Sequence, residues 1–159
     1  MTQAATLLAN ARAAGLTIAT AESCTGGMVA AAITDVAGSS AVFDRGFVTY
    51  TNAAKIQMLN VKSDTLARYG AVSEQVAYQM ATGAIANSDA TLAVSITGIA
   101  GPGGSDHKPE GRVCFGLCHL GHTTVATVEF GAIGRDRVRA AATAHALALL
   151  WAAASADRR

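Results

Sequence analysis

The chain has 159 residues, of which 51% are apolar, 14% charged and 5% aromatic, and its formal net charge is +1. That length suits one domain with its own hydrophobic core and falls short of two ordinary ones, so residues 1–159 are expected to form a single unit. A nearly neutral chain has no broad field to recruit nucleic acid or an anionic membrane, so any anion it binds is recognised locally.

Ala4 to Ala14 reads as an alanine-rich helix ended by Gly15. Leu16 to Ala21 reads as a buried strand that leads into the turn Glu22-Ser23-Cys24-Thr25-Gly26-Gly27. Met28, Val29, Ala32, Ile33 and Val36 then follow helical spacing, with Gly38 closing the helix. Phe43 to Tyr50 is rich in strand formers, Asn52 to Leu59 is a short helix carrying Lys55, and Ser63 caps a further turn through Tyr69. Ser73 is placed to cap a long helix whose buried stripe is Val76, Met80, Ala84 and Ile85.

Ala90 to Thr97 is a continuous apolar run, the pattern of a strand covered on both faces. The glycine-rich stretch from Gly98 to Gly111 is a loop. Val113 to His119 and Thr123 to Phe130 pair as a hairpin about Gly121-His122. A last helix runs from about Arg135 to Ala153, with Val138, Ala142, Ala146, Leu149, Leu150 and Ala153 inward. Alternating strands and helices followed by a hairpin predict an α/β fold, a three-layer α/β/α sandwich with a mixed β-sheet.

Cys24, Cys114 and Cys118 are an odd number without a disulfide framework, which points to a reducing, cytoplasmic setting. The first residues carry no secretory pattern, and no apolar run approaches membrane-spanning length. Cys114 and Cys118 stand on one face of a strand and read as core. Low charge and abundant alanine make a homo-oligomer the expected assembly.

The turn at residues 22–27 is the first place to look for chemistry. Free N–H groups at a helix start favour an anion or a developing oxyanion. A serine there serves either as a helix cap or as a nucleophile, and as a nucleophile it needs a base. The four histidines are poorly placed to be that base. His119 and His122 flank the hairpin turn, His107 is in the loop and His145 lies within the last helix. Lys55 is the better partner, since a lysine desolvated in a closed site can become a neutral base; otherwise it is an ordinary surface lysine. Tyr50 either caps a strand end or lends its hydroxyl to the same site.

Thr97-Gly98-Ile99-Ala100-Gly101-Pro102-Gly103-Gly104 follows a buried strand, where ligands of α/β sheets collect, yet it lacks the ending of a phosphate-binding P-loop. Arg135, Arg137 and Arg139 open the last helix against its dipole, an arrangement that suits a nearby phosphate or carboxylate. Cys118, His119 and His122 match no zinc spacing, so no metal is expected.

The blocks Ala21-Glu22-Ser23-Cys24-Thr25-Gly26-Gly27, Arg45-Gly46-Phe47-Val48-Thr49-Tyr50 followed by Lys55, Gly70-Ala71-Val72-Ser73, and Thr97-Gly98-Ile99-Ala100-Gly101-Pro102 together resemble the CinA C-terminal domain family, which includes stand-alone nicotinamide-nucleotide amidases. The likeness runs from Thr17 to about Leu150, with the blocks in family order. It implies hydrolysis of the carboxamide of nicotinamide mononucleotide (NMN) to nicotinate mononucleotide and ammonia, in pyridine-nucleotide recycling. It also implies a serine–lysine pair assisted by a tyrosine, which maps onto Ser23, Lys55 and Tyr50.

In that scheme the oxyanion is held by amides around Cys24, Thr25 and Gly26, and the nucleotide by Thr97, Gly98 and Gly101 with Arg135 or Arg139; no metal or organic cofactor is needed. Cys24 ranks second to Ser23 as nucleophile. The chain departs from the family pattern at Glu110-Gly111-Arg112, where a small apolar residue and Gly-Thr are usual, which bears on substrate preference near the loop. The competing expectation is a non-catalytic nucleotide-binding module linked to competence or the DNA-damage response.

Overall fold

A computed structural model describes residues 1–157. Strand β1 (Ile18–Glu22) lies between β2 (Phe43–Val48) and β3 (Leu92–Gly98) and runs parallel to both. Strands β4 (Arg112–His119) and β5 (His122–Glu129) continue the sheet antiparallel, giving the order β2-β1-β3-β4-β5. The three parallel strands therefore end at the same edge, and that edge carries the serine turn.

Helices α1 (Gln3–Ala14), α2 (Met28–Thr34) and α6 (Arg135–Ala156) cover one face of the sheet. On the other face α5 (Glu74–Ala86) lies on the strands, with α3 (Asn52–Leu59) and α4 (Ser63–Tyr69) packed against it. This is the three-layer α/β/α sandwich with a mixed sheet. Alternation along the strands sorts the core: Ile18, Leu92, Val94, Ile96, Val113 and Phe115 face α6 and its neighbours, whereas Ala19, Ala21 and Ala93 face α5. The second set is small, and α5 comes close for that reason. A Cβ on Gly116 would stand 2.5 Å from the Ala77 carbonyl oxygen, and Ser95 Oγ donates to that same oxygen at 2.6 Å.

Most elements fall where the pattern predicts, with Gly15 in a left-handed conformation closing α1 and the Ser73 hydroxyl accepting from the Val76 N–H as the cap of α5. Some details differ. Strand β1 is shifted to Ile18–Glu22, and β2 ends at Val48, leaving Thr49 and Tyr50 in the connection to α3. Helix α2 stops at Thr34, and Gly38 opens a single 3₁₀ turn, Ser39–Ala41, instead of closing the helix. Residues Ser63–Tyr69 form a complete helix. The hairpin turns at Leu120-Gly121, both at positive φ, the pairing of signs that matches strand twist. Leu147 and Ala154 are buried on α6, while Leu149 and Ala153 are only partly covered.

Helix α6 is also long and apolar enough, by length and composition, to cross a membrane, where the sequence pattern predicts no such run. Alanine supplies much of that hydropathy, and Val138, Ala142, Ala146 and Leu150 are buried against the sheet and α1.

The α3–α5 contact depends on one glycine. A Cβ on Gly83 would sit 1.9 Å from the Leu59 carbonyl oxygen, at the end of the helix that carries Lys55. Helix propensity alone favours Gly83→Ala by about 1 kcal/mol, but a clash with backbone cannot be relieved by a rotamer change. Gly83→Ala is expected to destabilise by about 2 kcal/mol net, read as a lowered urea midpoint. A raised midpoint would show that α3 docks differently.

Candidate active site

At the end of β1 the ladder continues for one residue, the Ser23 N–H donating to the Ile96 carbonyl at 2.9 Å. The chain then folds into a tight turn. The Gly26 N–H returns to the Ser23 carbonyl at 3.0 Å, and the Met28 N–H to the Thr25 carbonyl at 3.0 Å. Gly26 and Gly27 take φ values of +57° and +106°, a region that side chains disfavour. The amides of Cys24 and Thr25 have no backbone acceptor among the described residues.

Lys55 meets this turn from the other side. Thr51 caps α3, its hydroxyl accepting from the Ala54 N–H at 3.1 Å, which fixes the first turn of that helix and directs Lys55 inward. The lysine is only 1% exposed. Its Nζ lies 3.0 Å from Ser23 Oγ, 2.9 Å from the Thr49 carbonyl oxygen and 3.4 Å from the Tyr50 carbonyl oxygen. Burial lowers its pKa from 10.5 to about 8. A neutral amine has two N–H donors and one lone pair. With both N–H groups directed to the two carbonyls, the lone pair is left facing the serine hydroxyl, the arrangement a general base requires.

Cys24, next in the chain, is a different case. Burial pushes its thiol up to about 11, against the smaller lowering effects of its own backbone N–H and of Arg139. It is protonated at neutral pH, and the thiolate is the reactive form.

Two ionic side chains hold the turn. Glu22 is fully buried; one carboxylate oxygen accepts from the Thr25 hydroxyl at 2.6 Å and the Val29 N–H at 2.9 Å, and the other from the Ala30 N–H at 3.1 Å. It thereby caps α2, whose N-cap residue, Gly27, has no side chain to do so. On the far side Arg139 donates from Nε to the Cys24 carbonyl at 3.0 Å and from Nη2 to the Thr25 carbonyl at 3.4 Å.

Ser23, Cys24, Tyr50, Asn52, Lys55, Thr97 and Arg135 line a cavity of about 220 Å³. A second compartment of about 300 Å³ adjoins it along Ala71, Val72, Gly98, Ala100 and Arg135, and is walled by the loop from Ile99 to Asp106. Arg135 bridges the two, donating to the Gly101 carbonyl at 2.7 Å and to the Tyr50 hydroxyl at 2.8 Å. Tyr50 is 57% exposed, and it reaches Lys55 through its main-chain oxygen, its hydroxyl being directed to Arg135. Thr97 Oγ1 donates to the Ala71 carbonyl at 2.8 Å and so fixes the opposite wall.

Of the residues singled out in the sequence, Ser23, Cys24, Tyr50, Lys55, Thr97, Gly98 and Arg135 meet at one cavity, and Gly101 lines the compartment beside it. Thr25 and Gly26, within the turn, and Arg139, behind it, line neither compartment. Arg137 is exposed, and the four histidines line neither compartment. His145 packs against Phe115 and Phe130, where burial lowers its pKa. Glu110 folds back on the loop, its carboxylate accepting from the Gly103 N–H at 2.7 Å, and Arg112 pairs with Glu129. Sequence reasoning missed Glu22 as a structural group, and it missed Asn52, Ala71 and Val72 as cavity wall. An acid at the end of a buried strand, three residues before a threonine, was the available signal for Glu22.

The family model for the CinA C-terminal domain matches residues 1–154. The chain is 55% identical over 141 residues to the nicotinamide-nucleotide amidohydrolase PncC of Escherichia coli K12, covering 88% of this chain and 86% of that protein. It is 52% identical over 138 residues to the protein of the same name from Enterobacter agglomerans, covering 86% and 84%. Among solved structures, the competence/damage inducible protein CihA from Agrobacterium tumefaciens superposes with a TM-score of 0.91 at 49% identity, over 94% of this chain and 92% of that one. A CinA superfamily protein from Escherichia coli superposes with a TM-score of 0.89 at 41% identity, over 95% and 90%. By the match along nearly its whole length, the chain belongs to the CinA C-terminal domain family.

Proposed function

We propose that this protein is an amidohydrolase that converts NMN to nicotinate mononucleotide and ammonia in pyridine-nucleotide recycling, with Ser23 as nucleophile and Lys55 as base. The observation that carries the reading is the 3.0 Å approach of a buried lysine amine to a serine hydroxyl, with two carbonyls claiming the amine's protons. The names of the relatives supply the substrate. The three buried, unpaired cysteines suit a cytoplasmic setting.

Neutral Lys55 takes the Ser23 proton as Oγ attacks the amide carbon. The Cys24 and Thr25 amides receive the oxyanion; one such donor is worth about 3 kcal/mol in comparable sites. Gly26 is committed to the Ser23 carbonyl and stabilises the turn instead. Lys55 returns its proton to the departing amine, ammonia leaves, and an acyl-serine remains. Neutral again, Lys55 activates water to release the acid and restore Ser23. Tyr50 holds the carbonyl that orients Lys55 and, through its hydroxyl, the guanidinium of Arg135. Arg135 faces the second compartment and takes the nucleotide phosphate there.

Ser23→Ala and Lys55→Met are each expected to lower ammonia release from NMN at least about 10³-fold while circular dichroism is unchanged; wild-type protein that releases no ammonia would end the proposal. Because the active form of Lys55 is the uncharged one, kcat/KM rises with pH through about 8 and levels off above it. A profile flat from pH 6 to 10 rejects Lys55 as base. Arg135→Ala is expected to raise KM for NMN about tenfold or more and to leave that for nicotinamide riboside unchanged, since a charged hydrogen bond to phosphate is worth about 1.5–3 kcal/mol. Equal effects on the two substrates would remove the phosphate from this compartment.

A further inference from the structure

The resemblance leaves Arg135 and Arg139 as alternatives for the nucleotide phosphate, and the two guanidinium groups have different destinations. Arg135 lines both compartments, whereas Arg139 lines neither and is bound to main-chain oxygens of the serine turn. We infer that Arg139 is a positioning residue that aims and polarises the oxyanion-binding Thr25 amide, an inference that rests on the proposed hydrolase reading.

The geometry derives from the planarity of the peptide bond. In a trans peptide the C=O and N–H point in opposite directions. Arg139 Nε holds the Cys24 carbonyl at 3.0 Å, so the N–H of that same peptide group, belonging to Thr25, is turned away from Arg139. The second contact, to the Thr25 carbonyl, sets the next peptide plane in the same sense. That plane carries the Gly26 N–H, which donates to the Ser23 carbonyl and closes the turn.

Glu22 grips the turn from the opposite side, through the Thr25 hydroxyl and the first amides of α2. Held between a cation on its carbonyls and an anion on its hydroxyl and following amides, the Ser23–Gly26 segment has little room to rotate. The lever is itself fixed, because Val138 and Ala142, on either side of Arg139 along α6, are fully buried.

Charge adds to orientation. Arg139 forms no ion pair among the described residues, so its positive charge acts on the peptide groups it touches. A cation on a carbonyl draws electron density through the amide and makes the N–H at the other end a stronger donor. The role needs both a fork of donors and their reach. The guanidinium lies against the turn, where a Cβ on Gly26 would stand 3.4 Å from Arg139 Nη2.

The test compares Arg139→Ala and Arg139→Lys with wild type on NMN and on nicotinamide riboside. Arg139→Ala is expected to lower kcat about 100-fold on both substrates alike, with each KM within about threefold of wild type. Arg139→Lys, which keeps the charge and one donor, recovers part of the loss, and millimolar guanidinium chloride recovers part of the activity of Arg139→Ala without affecting wild type. If Arg139→Ala does not fold, Arg139→Lys is read by binding instead. The aldehyde analogue of NMN, which forms a tetrahedral adduct with Ser23, weakens in proportion to kcat, while nicotinate mononucleotide binds as to wild type. A raised KM confined to the phosphorylated substrate, with kcat intact, overturns the inference and makes Arg139 a phosphate ligand. Equal weakening of the aldehyde and the acid also overturns it. Inactive wild type overturns the hydrolase reading as well, so the two failures are distinguishable.

Discussion

An ammonium group taken out of water is destabilised by several kcal/mol unless charge or hydrogen bonds replace its hydration. Lys55 is in that position, and the surrounding fold is organised around the compromise it makes. Its carbonyl acceptors, Thr49 and Tyr50, precede it by six and five residues, so the connection from β2 to α3 builds amine and acceptors as one local unit. Ser23 is brought to that unit by sheet pairing. Glu22 of β1 lies opposite Val48 of β2, and the next residue on each strand leads into the site. A register slip of one residue would turn the side chains of β1 to the other face and separate alcohol from amine.

The same sheet explains why the second compartment lies where it does. Strands β1 and β3 are parallel, so Ser23 and Thr97–Gly98 arrive together at their carboxyl ends, where α/β sheets collect ligands. Helix α6 enters from the other layer and delivers two arginines one turn apart. One reaches over the edge to Tyr50 and Gly101, and the other stays behind the turn. The glycine loop is held from two sides, by Arg135 on the Gly101 carbonyl and by Glu110 on the Gly103 amide.

Much of this architecture was legible in the sequence. The unbroken apolar run of β3 marked a strand covered on both faces, and Ser73 marked the start of α5, because both signals are local. The end of α2 was not legible, since Gly38 punctuates the chain whether it closes a helix or opens a 3₁₀ turn. Nor was the position of the hairpin's turn, where a leucine takes the positive φ that sequence rules reserve for glycine or asparagine. At the site, a serine on a strand-to-helix turn was conspicuous. A lysine gives no local sign of burial, so Lys55 stood as a candidate base beside the reading of an ordinary surface lysine until the resemblance favoured the first. Glu22 was read only as a member of the turn, because its donors lie three, seven and eight residues further on. Arg135 and Arg139 share a helix face, and no spacing rule separates a side chain that lines a cavity from one that braces the backbone.

At Ser23 and Cys24 an alcohol and a thiol stand side by side in the chain, and only the alcohol has the Lys55 amine within hydrogen-bond distance among the described contacts. The sulfur is enclosed and keeps its proton, while the neighbouring oxygen is served by the amine. Oxidants and electrophiles that silence cysteine hydrolases act on exposed thiolate. If Ser23 reacts as proposed, the site carries a sulfur atom beside its reacting oxygen without presenting it as thiolate.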